Sequence, residues 1–316
     1  MTTARIDARF AALKAEGRAG FVAYVMAGDP SRDQALEILR GLPAAGADLI
    51  ELGFPFSDPM AEGPPIQRAA LRGLKAGLTL KGTLALAAAF RSGAPLPPLH
   101  GEGRSRSDPG GDVLTHPTLS SLRADIPPHE GEGDQITPLI LMGYLNPIES
   151  YGYDAFARDA AASGIDGLIV VDCPPEEAGP LSDALDAASV SLIRLATPTS
   201  DDARLKIIAE RTSGFVYYVS VAGVTGVKEA QTLSVAPAVA RVRKASGLPV
   251  AVGFGVKTPE RAAEIARVAD AVVAGSVLVD EVAAALAANE PAVPRVLARV
   301  KALADAVRGA RTPETV

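Results

Sequence analysis

Residues 138–172 read PLILMGYLNPIESYGYDAFARDAAASGIDGLIVVD. Two short apolar runs, residues 138–144 and 167–172, flank an Ala-rich amphipathic segment. Continuous apolar runs of this length are typical of strands buried on both faces of a parallel sheet, and the segment between them is typical of a crossover helix. The stretch therefore predicts one β–α–β unit.

The same alternation extends along the chain in both directions. Six further runs have the composition of buried strands: FVAYVM (21–26), DLIELG (48–53), SLIRLA (191–196), FVYYVS (215–220), PVAVGFG (249–255) and AVVAGS (271–276). Helical segments are also predicted at residues 4–16, 79–90 and 293–308, and several segments between the runs begin with Ser, Thr or Asp, the preferred N-cap residues. Eight strands alternating with helices predict an α/β fold of one domain, residues 1–316, a (β/α)8 TIM barrel with an extra N-terminal helix. An open doubly wound sheet is the alternative, but it normally uses five or six strands, and no G-x-G-x-x-G follows the first run.

The composition excludes several classes of protein. Hydrophobic residues make up 48% of the 316 residues and charged residues 22%, which excludes wholesale disorder. The net charge is −6 and no basic run occurs, so binding to nucleic acid or to an anionic membrane is not indicated. The apolar stretch 271–288 is interrupted by Asp280 and Glu281 and does not predict a membrane span. With a single cysteine, Cys173, these features predict a soluble, cytoplasmic protein.

One segment, residues 94–133, breaks the alternation before the third strand. It is rich in Pro and Gly, and it holds all three histidines of the chain, His100, His116 and His129. We interpret it as a low-complexity, disordered surface insertion whose histidines are solvated, because their spacing fits no usual metal site. The segment enters the N-terminal end of a strand, away from the end that carries active sites in these barrels, so we expect it to be functionally silent.

Candidate catalytic groups lie at the C-terminal end of the second strand. Glu51 interrupts an apolar run, so its side chain is expected in the barrel or its mouth, where burial raises a carboxyl pKa and suits it to proton transfer. A buried structural glutamate is the alternative. The loop that follows, residues 54–65, carries Asp58, Glu62 and four prolines. We interpret it as a lid or docking surface, with a solvated turn as the alternative.

Glycines at the ends of strands 6, 7 and 8 point to a phosphate. They occur in residues 221–226, in residues 253–256, and at Gly275-Ser276 before a predicted short helix. Glycine lets backbone N–H groups approach an anion, and a helix N-terminus adds a favourable dipole. Lys257 is interpreted as a helix-start residue rather than a Schiff-base lysine, and no cluster of ligands predicts a metal. These residues by themselves indicate a phosphate-binding barrel, a lyase or an isomerase.

Six segments resemble those of one family in order along nearly the whole chain. IELGFPFSDPMAEGPPIQ (50–67), FVAYVMAGDP (21–30), LMGYLNPI (141–148), YYVSVAGVTG (217–226), GFGVKTPE (253–260) and AGSVLVD (274–280) are similar to motifs of the tryptophan synthase α-subunit family. Only about residues 94–133 lack a counterpart. The resemblance implies a barrel that cleaves indole-3-glycerol phosphate to indole and glyceraldehyde 3-phosphate.

The resemblance also implies roles for particular residues. Glu51 and Glu62 would be the catalytic pair, although the family usually has Asp at the second position. Tyr217 would lie near the substrate, and Thr225 would help close the loop after strand 6 over the site. The remaining substrate-binding positions would be the walls of the indole pocket, Phe21, Tyr24 and Leu141, and the phosphate site, Gly226, Gly255, Gly275 and Ser276.

A partner follows from the same resemblance. The family works with a β subunit, in an α2β2 tetramer, and pyridoxal phosphate belongs to that partner, so no cofactor or metal is expected in this chain. The docking face would include Pro55, Asp58, Asn146 and Pro147. Two other functions stay open: a stand-alone indole-releasing lyase, and a catalytically weak subunit that mainly binds and activates the β subunit.

Overall fold

The chain forms a closed barrel of parallel strands. A computed structural model describes residues 3–97, 137–219, 235–253 and 255–311. In these residues eight strands pair in sequence order, and the eighth closes on the first. They are β1 (Gly20–Met26), β2 (Leu49–Gly53), β3 (Leu139–Gly143), β4 (Gly167–Val170), β5 (Ser191–Ala196), β6 (Val216–Val219), β7 (Val250–Gly253) and β8 (Ala271–Ala274). The predicted (β/α)8 barrel is confirmed.

Helices surround the barrel. They are α1 (Thr3–Ala15), α2 (Arg32–Gly41), α3 (Pro64–Lys75), α4 (Leu80–Ser92), α5 (Leu145–Tyr151), α6 (Tyr153–Ala162), α7 (Gly179–Ala187), α8 (Asp202–Ala209), α9 (Val235–Ser246), α10 (Pro259–Ala266), α11 (Ser276–Ala288) and α12 (Ala292–Gly309). The side chains of Ser31, Thr79, Asp201 and Thr258 cap α2, α4, α8 and α10, as N-cap residue types should. Within the described part of the chain, no helix is long and apolar enough to cross a membrane.

Three details of the predicted connections are wrong. Pro64 and Pro65 do not belong to the loop after β2; they begin α3, because proline is tolerated in a first helical turn, where no N–H partner is needed. Asn146 and Pro147 lie in the first turn of α5 for the same reason, and not in a loop. The helix after β8 is not short, since α11 has 13 residues.

Along the strands, successive side chains alternate between two packing layers. Val22, Leu49, Ile140, Ile169 and Ile193 belong to one buried cluster inside the barrel, and their chain neighbours pack outward against the helices. The extra helix α1 closes the N-terminal end of this interior, because its apolar residues join the same cluster and Phe10 meets Phe215 with ring centroids 5.5 Å apart. The C-terminal end of the barrel interior is therefore the end at which a site is expected.

A repeated hydrogen-bond pair organises the closed end. Just before each even-numbered strand, a side chain accepts the backbone N–H of a residue in the preceding odd strand. The donor and acceptor residues are Phe21 and Asp48 (2.8 Å), Leu139 and Asp166 (2.8 Å), Leu192 and Ser213 (3.2 Å), and Val250 and Asp270 (2.8 Å). Each acceptor residue returns its own backbone N–H to the carbonyl of its partner. Arg5 and Arg9 of α1 pair with Asp166 and Asp48, which ties the closing helix to this frame.

The predicted insertion lies between α4 and β3, as expected from the sequence. Its first residues, 94–97, come after α4 in the chain and contact α2, where Arg40 Nη2 donates to the carbonyl of Ala94 at 2.6 Å. Residues 98–136, including all three histidines, lie outside the described residues. The interpretation of this segment as disordered therefore stays a prediction.

Candidate active site

Glu51 lies inside the mouth of the barrel. It is fully buried, and it lies between Leu49 and Gly53 on the inner face of β2. Neither of its carboxyl oxygens has a hydrogen-bond partner among the described residues. Burial, and secondly the charge of Glu62, raise the pKa of Glu51 to about 8. At neutral pH this carboxyl is a proton donor held in an apolar setting.

Glu62 is brought to the same mouth by the loop between β2 and α3. The residue keeps partial exposure to solvent, but the protein around its carboxyl raises the pKa to about 7 by desolvation. The loop is held on both sides of Glu62. The hydroxyl of Tyr144 accepts the N–H of Ala61 at 3.0 Å, and Gln67 Nε2 donates to the carbonyl of Glu62 at 2.9 Å. The two carboxyl groups therefore differ in burial and in pKa, as an acid and a base in one site should.

Tyr144 helps to position this loop through its ring and its hydroxyl. It follows β3, its ring stacks on Phe56 with centroids 5.2 Å apart, and its hydroxyl reaches the backbone beside Glu62. We expect Tyr144→Phe to lower the rate of the reaction proposed below by about fivefold, because one hydrogen bond that positions Glu62 is lost. Steady-state rates beside Tyr153→Phe, a change at a partly exposed tyrosine, check this. Equal rates for both variants would mean that the hydroxyl of Tyr144 does not help to position Glu62.

Two buried tyrosines face the carboxyl pair. Burial is the largest cause that raises the pKa of Tyr24 and of Tyr217 well above its ordinary value, and the charges of Glu51 and Glu62 add to it. Each ring lies across a glycine of the neighbouring strand: a Cβ at Gly53 would collide with the hydroxyl of Tyr24, and one at Gly253 with that of Tyr217. The structure thus brings four of the predicted site residues together.

Phe21 and Leu141 are not in this group, so their predicted place in the substrate pocket is wrong. Both are fully buried in the layer between barrel and helices. Strand alternation explains the correction: Tyr24 pairs in register with Glu51, so Phe21, an odd number of residues away, faces outward. On β3, Met142 takes the inner position instead of Leu141, and contacts the cluster of Tyr24. The register between β2 and β3, in which Glu51 pairs with Ile140, places Met142 on the inner face, and the sequence alone does not give that register.

Two glycines and the start of a helix without a side-chain cap lie on the β7–β8 side of the mouth. Gly255 is exposed with φ +77°, a backbone that favours glycine. Gly275 precedes α11, and an added Cβ would lie 3.3 Å from Tyr24. No side chain caps the 13-residue α11, which begins at Ser276. A helix start of this kind offers N–H groups and a positive dipole end. Thr225 and Gly226 lie outside the described residues, so their roles stay predictions.

The predicted docking residues have different exposures. Asp58 and Asn146 are exposed and Pro147 is partly exposed, whereas Pro55 is buried against α3 and cannot present its ring to a partner. The prediction for Pro55 is therefore corrected. The neighbouring Met60, with 84% of its surface exposed, is an apolar side chain of the same loop that the sequence analysis did not single out.

Two further expectations concern metals and lysine. Within the residues that the structure describes, no group of three or more His, Cys, Asp or Glu side chains could hold a metal ion. Lys257 is exposed and directly precedes Thr258, the N-cap of α10, so its interpretation as a helix-start residue is confirmed.

Comparisons with known proteins identify the family of this chain. The family model described as "Tryptophan synthase alpha chain" matches residues 10–100 and 129–308, which leaves most of the insertion unmatched. A tryptophan synthase alpha chain of Phenylobacterium zucineum is 64% identical over 311 residues, and one of Caulobacter vibrioides is 60% identical; each alignment covers 98% of both chains. Because both chains are covered almost entirely, these relatives carry a segment of similar length.

Solved structures show the same likeness. The crystal structure of tryptophan synthase subunit alpha from Legionella pneumophila has a TM-score of 0.77 at 35% identity, with 96% of this chain and 98% of that chain covered. The structure of Mycobacterium tuberculosis tryptophan synthase gives 0.73 at 32% identity over the same shares. Fold, site and sequence therefore agree, and the chain belongs to the tryptophan synthase alpha chain family.

Proposed function

We propose that this chain is a carbon–carbon lyase that cleaves indole-3-glycerol phosphate to indole and glyceraldehyde 3-phosphate. The observation that carries the proposal is the pair of carboxyl groups in the barrel mouth, with pKa values of about 8 and about 7. A retro-aldol cleavage needs one proton donor and one negative group in the same apolar site at neutral pH. Family membership supports the same substrate.

The protons and electrons balance with these residues alone. Protonated Glu51 gives its proton to C3 of the indole ring, and the positive charge that forms on the ring nitrogen is stabilised by ionised Glu62, which accepts the ring N–H. Ionised Glu51 then takes the proton of the glycerol hydroxyl next to C3. The carbonyl of glyceraldehyde 3-phosphate forms as the carbon–carbon bond breaks, and the bonding electrons return to the ring. The protonated ring serves as the electron sink, so the scheme requires no Schiff base.

The substrate's phosphate would lie at the start of α11. Gly275 and Ser276 would supply backbone N–H groups, and Gly255 would leave room for the phosphate oxygens. Thr225 and Gly226 would complete the cradle from the loop after β6. Tyr24, Tyr217 and Met142 would surround the indole ring.

The partner would be a tryptophan synthase β subunit. Membership of the alpha chain family implies such a partner, and we propose an α2β2 tetramer in which pyridoxal phosphate is bound by the β subunit. Asp58 and Asn146 are exposed and Pro147 is partly exposed, and these residues would form part of the docking face. This chain itself would bind no cofactor, and its location would be the cytoplasm.

Indole release tests the proposed function. The chain is assayed with indole-3-glycerol phosphate, alone and with a β subunit. Slow release alone and a large rise with the partner are expected for an α subunit. Fast release without a partner would favour the stand-alone lyase, whereas no release in either condition would leave a subunit that mainly activates its partner.

Position 62 provides a separate prediction. We expect Glu62→Asp to keep the rate within about tenfold, because it keeps the negative charge, and Glu62→Gln to lower it by about 10²-fold, because an amide cannot balance the charge on the ring nitrogen. The measurement is kcat for indole release. If Glu62→Gln were as active as Glu62→Asp, the charge of Glu62 would have no part in the reaction.

A further inference from the structure

A cavity lies at the C-terminal ends of β4 and β5, beside the loop that follows β4. Its volume is about 290 Å³. Its walls include Val170, Leu192, Pro175 and Ala178, which are apolar, and the lone cysteine Cys173. The carboxyl pair faces the barrel interior, whereas this cavity lies where β4 and β5 meet the surrounding helices. None of the residues that line it belongs to the proposed active site.

Arg194 is the unusual feature of this cavity. On β5 it lies between the inward-facing Ile193 and Leu195, so its side chain points outward, and only 7% of its surface is exposed. Among the described residues, its Nε has no hydrogen-bond partner and no carboxylate forms an ion pair with it. Burial lowers the pKa of Arg194. A buried guanidinium N–H without a partner is costly to the fold, and natural proteins normally give it a hydrogen-bond acceptor.

The other charges at the cavity do not supply that anion. Arg204 lines the same cavity and pairs with Glu176, so these two charges cancel. Asp172 is exposed, and its carboxylate accepts the N–H of Leu145 at 2.8 Å rather than a proton of Arg194. Among the described residues, Arg194 is therefore left without a carboxylate in contact with it, in a cavity that has both apolar and charged walls.

We propose that this cavity is a binding site for a small carboxylate, with Arg194 as the residue that recognises it. A guanidinium binds a carboxylate through two parallel N–H···O bonds. Arg204 is already paired with Glu176, so Arg194 is the guanidinium left to contact a ligand, which suits a small carboxylate. The apolar walls would contact the hydrocarbon part of the ligand.

Cys173 gives a local readout, because it is the only cysteine of the chain and it lines the cavity. The full-length protein is alkylated with iodoacetamide, a neutral reagent, and the rate is followed by intact mass. Sodium acetate is the probe, at constant ionic strength with chloride, and acetamide is its neutral analogue. We expect acetate to slow alkylation in a saturable way, by about tenfold at ten times its Kd, and acetamide to have no effect.

Variants assign the effect to Arg194. Arg194→Met should remove the protection by acetate, whereas Arg308→Gln, which removes one positive charge on the distant α12, should retain it. The acetate and acetamide comparison on the wild-type protein does not depend on how well a variant folds. The proposal would be overturned by unchanged alkylation in acetate, by equal protection in Arg194→Met, or by protection with phosphate and not with acetate.

Discussion

Replacing Glu51 by Gln is expected to lower kcat for indole release by about 10²- to 10⁴-fold, the usual contribution of a positioned general acid or base. Gln keeps the shape of the side chain and cannot transfer a proton. The carboxyl group lies inside the barrel with no hydrogen-bond partner among the described residues, so its proton is not shared with a neighbouring side chain. The measurement is kcat with saturating indole-3-glycerol phosphate and β subunit. Glu37→Gln, the same change on the exposed face of α2, is the matched control and should leave kcat unchanged.

The pH dependence provides a second test of the same carboxyl pair. With pKa values of about 8 and about 7 for Glu51 and Glu62, kcat/KM should rise as Glu62 ionises and fall as Glu51 loses its proton. The profile should be a narrow bell between about pH 7 and pH 8, with both limbs belonging to the pair. A profile that stays flat up to pH 9 would contradict the role of Glu51 as an acid.

The free energy of unfolding should change with pH because of Glu51. The folded-state pKa of Glu51 lies above the unfolded value, so the native state holds the proton more tightly, and stability falls as pH rises from about 5 to about 8. The loss is on the order of 4 kcal/mol. Urea unfolding at the two pH values should show a smaller loss for Glu51→Gln. An equal loss in both proteins would assign the pH dependence to other groups.

Replacing Asp166 by Ala is expected to reduce the free energy of unfolding by about 3–5 kcal/mol, the usual cost of breaking a buried ion pair. The Asp166 side chain is completely buried, and it accepts from Arg5 and Arg91 at 2.6 Å each and from the N–H of Leu139 at 2.8 Å. Its removal leaves Arg91, whose pKa burial lowers to about 10, without its carboxylate. Urea denaturation measures the change.

Two further variants separate the contributions at Asp166. Asp166→Asn keeps an acceptor for the N–H of Leu139 and loses the charge. Its free energy of unfolding should therefore lie between those of the wild type and Asp166→Ala. Asp305→Ala breaks only exposed pairs with Lys301 and Arg308 and should lower the free energy of unfolding far less than Asp166→Ala does. Equal effects of Asp166→Ala and Asp305→Ala would mean that the frame at the closed end does not stabilise the barrel. Because Asp166 lies at the end opposite Glu51, the folded fraction of each variant should keep its kcat.

Local residue patterns were enough to predict the barrel. Each buried strand appears as a continuous apolar run, and helix starts such as Thr79 and Thr258 are marked by their capping chemistry. Glu51 was also predictable, because a single carboxylate within an apolar run is costly unless the site uses it. The starts of α3 and α5 were not predictable from the sequence, because proline occurs both in loops and in the first turn of helices.

The sequence alone therefore determined the class of fold, the end of the barrel that carries the site, and the carboxylate at its centre, because these depend on the order and polarity of neighbouring residues. Tertiary structure decided which side chains meet. Strand register places Tyr24 and Met142 inside and Phe21 and Leu141 outside, and packing against α3 buries Pro55. The pairing of Asp166 with Arg5, and the isolation of Arg194 in its cavity, depend on residues far apart in the chain. Such contacts and their desolvation exist only once the barrel has closed, so no local pattern encodes them.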